Sequence, residues 1–133
     1  MVCGIEMTPE RRVFCVQVEA RDAATLERII CENVVECSEV WTDGWKGYNG
    51  IREHCNVEHS VVNHSLYFKD PLTGVCTNGV EGLNCALKAA IRPQNRTEKF
   101  AARCLAEFIW KRENQNGLCD AFIELLRNSL ILG

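Results

Sequence analysis

"VWTDGWKGYNG", residues 40–50, runs a short β-branched and aromatic stretch into an aspartate and then into a turn rich in glycine and aromatics. The pattern predicts a strand that stops at Asp43 and hands over to a tight turn. A carboxylate in that place is often a turn residue or a helix cap. In α/β proteins it also stands where ligands are held, at the carboxyl edge of the strands. The neighbouring segments decide between these readings.

Upstream, "VCGIE" (2–6) and "RRVFCVQVEA" (11–20) read as two strands joined by the polar turn "MTPE". "RDAATLERIICENVV" then places Ala23, Leu26, Ile29, Ile30 and Val34 at helical spacing, with Asp22 as N-cap. Strand 38–43 follows, then one or two helical turns in "GYNGIREHC". Downstream, "VEHSVVNH" (57–64) is strand-like, and "SLYFKDPLTGVCTNG" (65–79) is a loop punctuated by Pro and Gly. The remainder is helical: "VEGLNCALKAAI", "EKFAARCLAEFIWKRE" and "LCDAFIELLRNSLI". In the second of these helices Phe100, Cys104, Leu105 and Phe108 form an apolar stripe. The order β-β-α-β-(α)-β-α-α-α predicts an α/β fold, with helices packed on a mixed sheet. The 133 residues suit one domain, 1–133.

Composition narrows the function. The net charge of −3 is not that of a free-standing nucleic-acid binder, so DNA binding would require a local basic patch. Nine cysteines, none in a C-x-x-C pair, read as reduced intracellular thiols acting as small hydrophobes rather than as a zinc site. No run approaches the ~18 apolar residues of a membrane span.

Two carboxylates stand out by position. Asp43 ends a strand and Glu81 opens the helix after the long loop. Such a pair could hold a hard cation, Mg²⁺ or Mn²⁺, through oxygen. Lys88 follows Glu81 by two helical turns, on the same face, where it could touch a phosphate. The plain alternative is a helix-dipole acid balanced by a later lysine. Spacing leaves both open.

The wording around the pair is more specific. "TDGWKGYNGI", then "HSVVNHSLYFKDPLTGVCTNGVEGLNCALK", and the closing "CLAEFIWKREN" resemble the DDE transposases of the ISXO-like insertion-sequence group and their eukaryotic Merlin relatives. The resemblance runs over roughly residues 2 to 126. It implies an RNase H-like mixed sheet with flanking helices and a helical C-terminal end. It also implies metal-dependent DNA strand cleavage and transfer, with three acidic residues binding two divalent cations. Asp43 falls on the second acidic position, Glu81 on the third and Lys88 on a basic position of the same helix. Asn78 stands beside Glu81 as an alternative third ligand. The implied partner is DNA, as transposon ends, and a homo-oligomer is compatible. The implied location is intracellular, the nucleus in a eukaryotic host and the cytoplasm otherwise.

The first acidic residue of the family pattern, on the first and central strand, has no counterpart here, because Met1 falls just inside what corresponds to the second strand. The reading therefore expects a partial, N-terminally truncated catalytic domain, inactive by itself. The alternative is a catalytically dead relic or a domesticated DNA- or protein-binding module. The family tryptophan three residues after the glutamate is Asn84, and Cys76 stands where histidine is usual. Trp45 and Tyr48 could stack on a frayed base or simply pack the turn. His64, with His54 and His59 nearby, is structural or DNA-proximal. Arg92, Arg96, Lys99 and Arg103 either track a DNA backbone or form a solvated face.

Overall fold

The computed structural model describes residues 1–63, 66 and 69–132, with side chains as far as 129 in the last helix. Strands β1 (Val2–Ile5) and β2 (Val13–Val16) are followed by helix α1 (Ala23–Asn33), strand β3 (Glu39–Asp43), a 3-10 turn (Lys46–Tyr48) and helix α2 (Ile51–His54). Strand β4 (Glu58–Val62) follows, then α3 (Asn78–Ala90), a second 3-10 turn (Pro93–Asn95), α4 (Glu98–Glu113) and α5 (Leu118–Leu132). The chain divides into two compact units, residues 1–86 and 87–133.

In the first unit α1 organises the core. It starts at Asp22, whose Oδ1 accepts the Thr25 backbone N–H at 2.8 Å, the bond expected of an N-cap. Its 3.6-residue period buries Leu26 and Ile29 completely and Ile30 almost so. Leu26 and Ile29 cluster with Val2, joined by Phe14, Val16 and Val18. Ile30 clusters with Ile51, Cys55 and Val57, joined by Val34 and Val40. Tyr48 packs against both groups. Each fully buried leucine or isoleucine contributes roughly 1.5–3 kcal/mol, so this one helix anchors both sets of strands.

The four strands make two small sheets, as a mixed sheet lacking its central strand would. β1 and β2 pair antiparallel, from Val2↔Val16 to Ile5↔Val13. β3 and β4 pair parallel, from Glu39↔Glu58 to Asp43↔Val62. The two pairs form separate two-stranded sheets. Among the described residues no strand lies between β1 and β3, and α1 holds the two pairs through different side chains. Ladder bonding needs strands about 4.8 Å apart, which sheets pinned to separate parts of a helix face do not reach without a strand between them.

The cysteines depart from expectation. Cys31 of α1 and Cys55 at the end of α2 form a disulfide, with Cα atoms 5.0 Å apart. The expectation of reduced thiols throughout fails here because α2 packs against α1 and brings together two residues 24 apart in sequence. The other seven cysteines carry no disulfide.

In the second unit Leu87, Ile91 and Leu105 are buried. Of the expected α4 stripe, Leu105 is buried, Cys104 and Phe108 are half-buried and Phe100 is exposed. α4 and α5 line an apolar groove with Ala106, Trp110, Phe122 and Leu125 among its walls. Among the described residues no helix is long and apolar enough to cross a membrane.

Candidate functional site

Asp43 is the last residue of β3, and its side chain is exposed. Parallel pairing fixes its backbone opposite Val62. The residue before it, Thr42, is buried, so its hydroxyl must be satisfied internally. Thr42 Oγ1 donates to the Asp43 carbonyl at 2.8 Å and lies 2.7 Å from His59 Nε2. With the hydroxyl proton committed to the carbonyl, His59 Nε2 is the donor to Thr42. Burial holds the His59 pKa below its ordinary value, which favours the neutral ring, here as its Nε2–H tautomer. His59 thus supports the backbone at the strand end.

The turn after Asp43 is built on its own carboxylate. Asp43 Oδ1 accepts the Trp45 backbone N–H at 3.4 Å, the long limit of a hydrogen bond. The Trp45 and Tyr48 rings meet edge to face, with centroids 5.8 Å apart. The Trp45 ring also lies against Gly47, so a Cβ at that position would have to displace the ring. The Arg21 guanidinium sits 6.0 Å from the Trp45 ring centroid. The Tyr48 phenol is pushed above its ordinary pKa, first by burial and then by the negative charge of Asp43, with Arg21 opposing. Asp43, Trp45, Tyr48 and Arg21 therefore form one local cluster. Sequence reading missed Arg21, because nothing in a residue 22 positions upstream of Asp43 marks it as a neighbour.

Glu81 stands in the first turn of α3, with Asn78 as that helix's first residue; both are exposed. Buried Thr77 precedes them. Its carbonyl accepts the Glu81 N–H at 3.0 Å, and its hydroxyl donates to Glu81 Oε1 at 3.5 Å. The β1–β2 hairpin packs against this helix start. A Cβ on Gly79 would lie 3.0 Å from Met7 Sδ and 3.2 Å from Ile5 Cγ2. In the preceding loop, Asp70 Oδ1 accepts the Leu72 and Thr73 N–H groups at 2.8 and 3.0 Å, so the D-P-L-T-G segment is a self-bonded turn.

Lys88 lies in the last turn of α3 and is exposed. The basic stretch has mixed duties. Arg96 donates from Nε to the Ile91 carbonyl at 3.1 Å and from Nη2 to the Lys88 carbonyl, closing the end of α3. The Lys99 ammonium lies 5.6 Å from the Phe100 ring centroid, and Arg92 is exposed before the second 3-10 turn. His64 lies outside the described residues.

Asp43 and Glu81 offer exposed carboxylate oxygens, the donor type that suits Mg²⁺ or Mn²⁺. Among the described residues, however, no three or more His, Cys, Asp or Glu side chains are gathered in a way that could hold a metal ion. The chemistry of the donors fits a hard cation; their number falls short of a closed site.

Residues 1–114 match the family described as the ISXO2-like transposase domain. Comparison with curated proteins and with solved structures gave no significant match.

Proposed function

The chain belongs to the ISXO2-like transposase domain family, and from that premise we propose that it is part of the catalytic domain of a DDE transposase acting on DNA. A transposition-related role follows from membership. The observation that carries the finer reading is Asp43 itself: an exposed carboxylate at the carboxyl end of a parallel-paired strand, presented by an aromatic turn within the matched residues.

The finer fold reading is an RNase H-like sheet. The two separate strand pairs, both packed on α1, support it, since one strand placed between β1 and β3 would join them into a five-stranded mixed sheet. Asp43 and Glu81, with Asn78 as the alternative to Glu81, would hold the cation, and Lys88 would contact a DNA phosphate. When bound, Mg²⁺ or Mn²⁺ would activate the attacking oxygen and stabilise the leaving oxygen of a phosphodiester. The chain's own contribution is to fix the Asp43 backbone through the His59–Thr42 relay and to hold Glu81 at a helix start. Transposon ends are the proposed partner, and Merlin elements the proposed eukaryotic relatives.

A second reading has its own observation. The absence of a three-ligand group among the described residues favours a DNA- or protein-binding module that does not cut by itself. Two measurements on the 133-residue chain separate the readings. Mn²⁺ binding, followed by electron paramagnetic resonance, should be weak and should be lost in Asp43→Asn. Nicking of supercoiled DNA by the unassisted chain should stay at background. Mn²⁺ binding indifferent to both Asp43→Asn and Glu81→Gln would sink the metal assignment, leaving the binding module. Metal-dependent nicking that is lost in Asp43→Asn would instead exclude the module and show that these residues suffice.

A further inference from the structure

The cysteines outside the disulfide include one pair that the fold sets face to face. In the β1–β2 ladder Cys3 lies directly opposite Cys15. The ladder's phase follows from its turn end, where the Glu6 N–H donates to the Arg12 carbonyl at 2.8 Å and makes residues 6 and 12 a hydrogen-bonded pair. Antiparallel pairs alternate, so 5/13 is non-hydrogen-bonded, 4/14 hydrogen-bonded and 3/15 non-hydrogen-bonded again. At non-hydrogen-bonded positions Cα atoms stand about 4.5 Å apart and side chains approach most closely. That separation falls inside the range a disulfide spans. Side-chain alternation turns this pair away from the face on which Val2 and Val16 pack against α1. Both residues are half-buried, and neither is joined in a disulfide.

We propose that Cys3 and Cys15 form a redox-active cross-strand dithiol, a modification site that a low-molecular-weight disulfide converts reversibly into a Cys3–Cys15 bond. The neighbouring Cys15 side chain holds the Cys3 thiol below its ordinary pKa, against partial burial and with help from the positive charge of Arg21. Cys3 is therefore the attacking sulfur. Its thiolate attacks one sulfur of the reagent disulfide, breaking that S–S bond and releasing one small thiolate. Cys15 then loses its proton to solvent, and its sulfur attacks the Cys3 sulfur of the mixed disulfide, expelling the second small thiolate. The two protein thiols give up two electrons, and the reagent disulfide is reduced to two thiols. The hairpin closed in this way carries Ile5 and Met7, the side chains against Gly79 at the start of α3. The site is independent of the metal assignment above.

The test uses the whole 133-residue chain, confirmed as folded by circular dichroism, in a glutathione redox buffer. Non-reducing peptide mapping should find Cys3 linked to Cys15, with the mass of two hydrogens lost and the bond reversed by excess reduced glutathione. Alkylation should modify Cys3 several-fold faster than exposed Cys85 and Cys119. In Cys15→Ser the reaction should stop at a glutathione adduct on Cys3, because the resolving sulfur is gone. In Cys15→Val the rate at Cys3 should fall to that of the exposed thiols. Alkylation of Cys3 no faster than of Cys85 and Cys119, or linkage of Cys3 to any cysteine other than Cys15, would overturn the proposal.

Discussion

Reducing the Cys31–Cys55 bond should lower the stability of the first unit by an amount set mainly by chain entropy. The bond ties α1 to α2 across a sequence separation of 24 residues. Closing a loop of that length removes unfolded-state freedom equivalent to about 3.5 kcal/mol at room temperature. Native packing changes little on reduction, because Cys55 is already a buried member of the Ile30, Ile51 and Val57 cluster and stays apolar as a thiol. For a domain of this size the loss corresponds to a fall in melting temperature on the order of 10–15 °C. Thermal melts followed by far-UV circular dichroism, with and without reductant, measure it directly. Cys31→Ser should melt near the reduced wild type, and reductant should not move it further by a comparable amount. A melt unmoved by reductant, in protein whose Cys31–Cys55 link has been mapped, would refute the chain-entropy argument. Failure to find the link would refute the pairing itself.

Three further outcomes are expected. Gly79→Val should destabilise by about 1–3 kcal/mol through overpacking against Met7 and Ile5, whereas Gly82→Ala, with nothing within 4 Å, should stabilise α3 by up to about 1 kcal/mol; urea unfolding of the two variants decides. The Glu6 carboxyl is held down to about 2 by its hydrogen bond from Arg12, against an ordinary value of 4.5. Its folded-state pKa is depressed, so its contribution is complete above 4.5 and lost as pH falls from there through about 2; Glu6→Gln should flatten the stability–pH curve in that window. In Asp43→Asn the Tyr48 phenol should ionise at lower pH than in the parent, since one of the two effects raising its pKa has been removed; ultraviolet titration in a Tyr67→Phe background reads it, and an unchanged Tyr48 titration would separate Asp43 from the aromatic cluster.

Much of this protein was legible along the chain. The period of Leu26, Ile29 and Ile30 marked α1 and its buried face, and Asp22 marked its start, because helix periodicity and capping are local properties. The strand ending at Asp43 and the helix opening near Glu81 were equally local. The ordered motifs around them pointed to the family that residues 1–114 match. Strand extents were less legible. The run 11–20 gave only Val13–Val16 as strand, because pairing stops where the four-residue β1 stops.

What lay outside local reach came from contacts between distant residues. Cys31 and Cys55 looked like two more buried thiols until α2 folded back on α1. Arg21 carried no signal of its own until the fold set its guanidinium over the Trp45 ring. Arg96 read as part of a basic face until its guanidinium closed the end of α3. The sheet is the clearest case. β-branched and aromatic runs bounded by turn residues marked four segments as strands, because such composition is local to each segment. Only the tertiary structure decided that they form two pairs and not one sheet, because a ladder is made by a neighbour's backbone, and between β1 and β3 the described residues supply none.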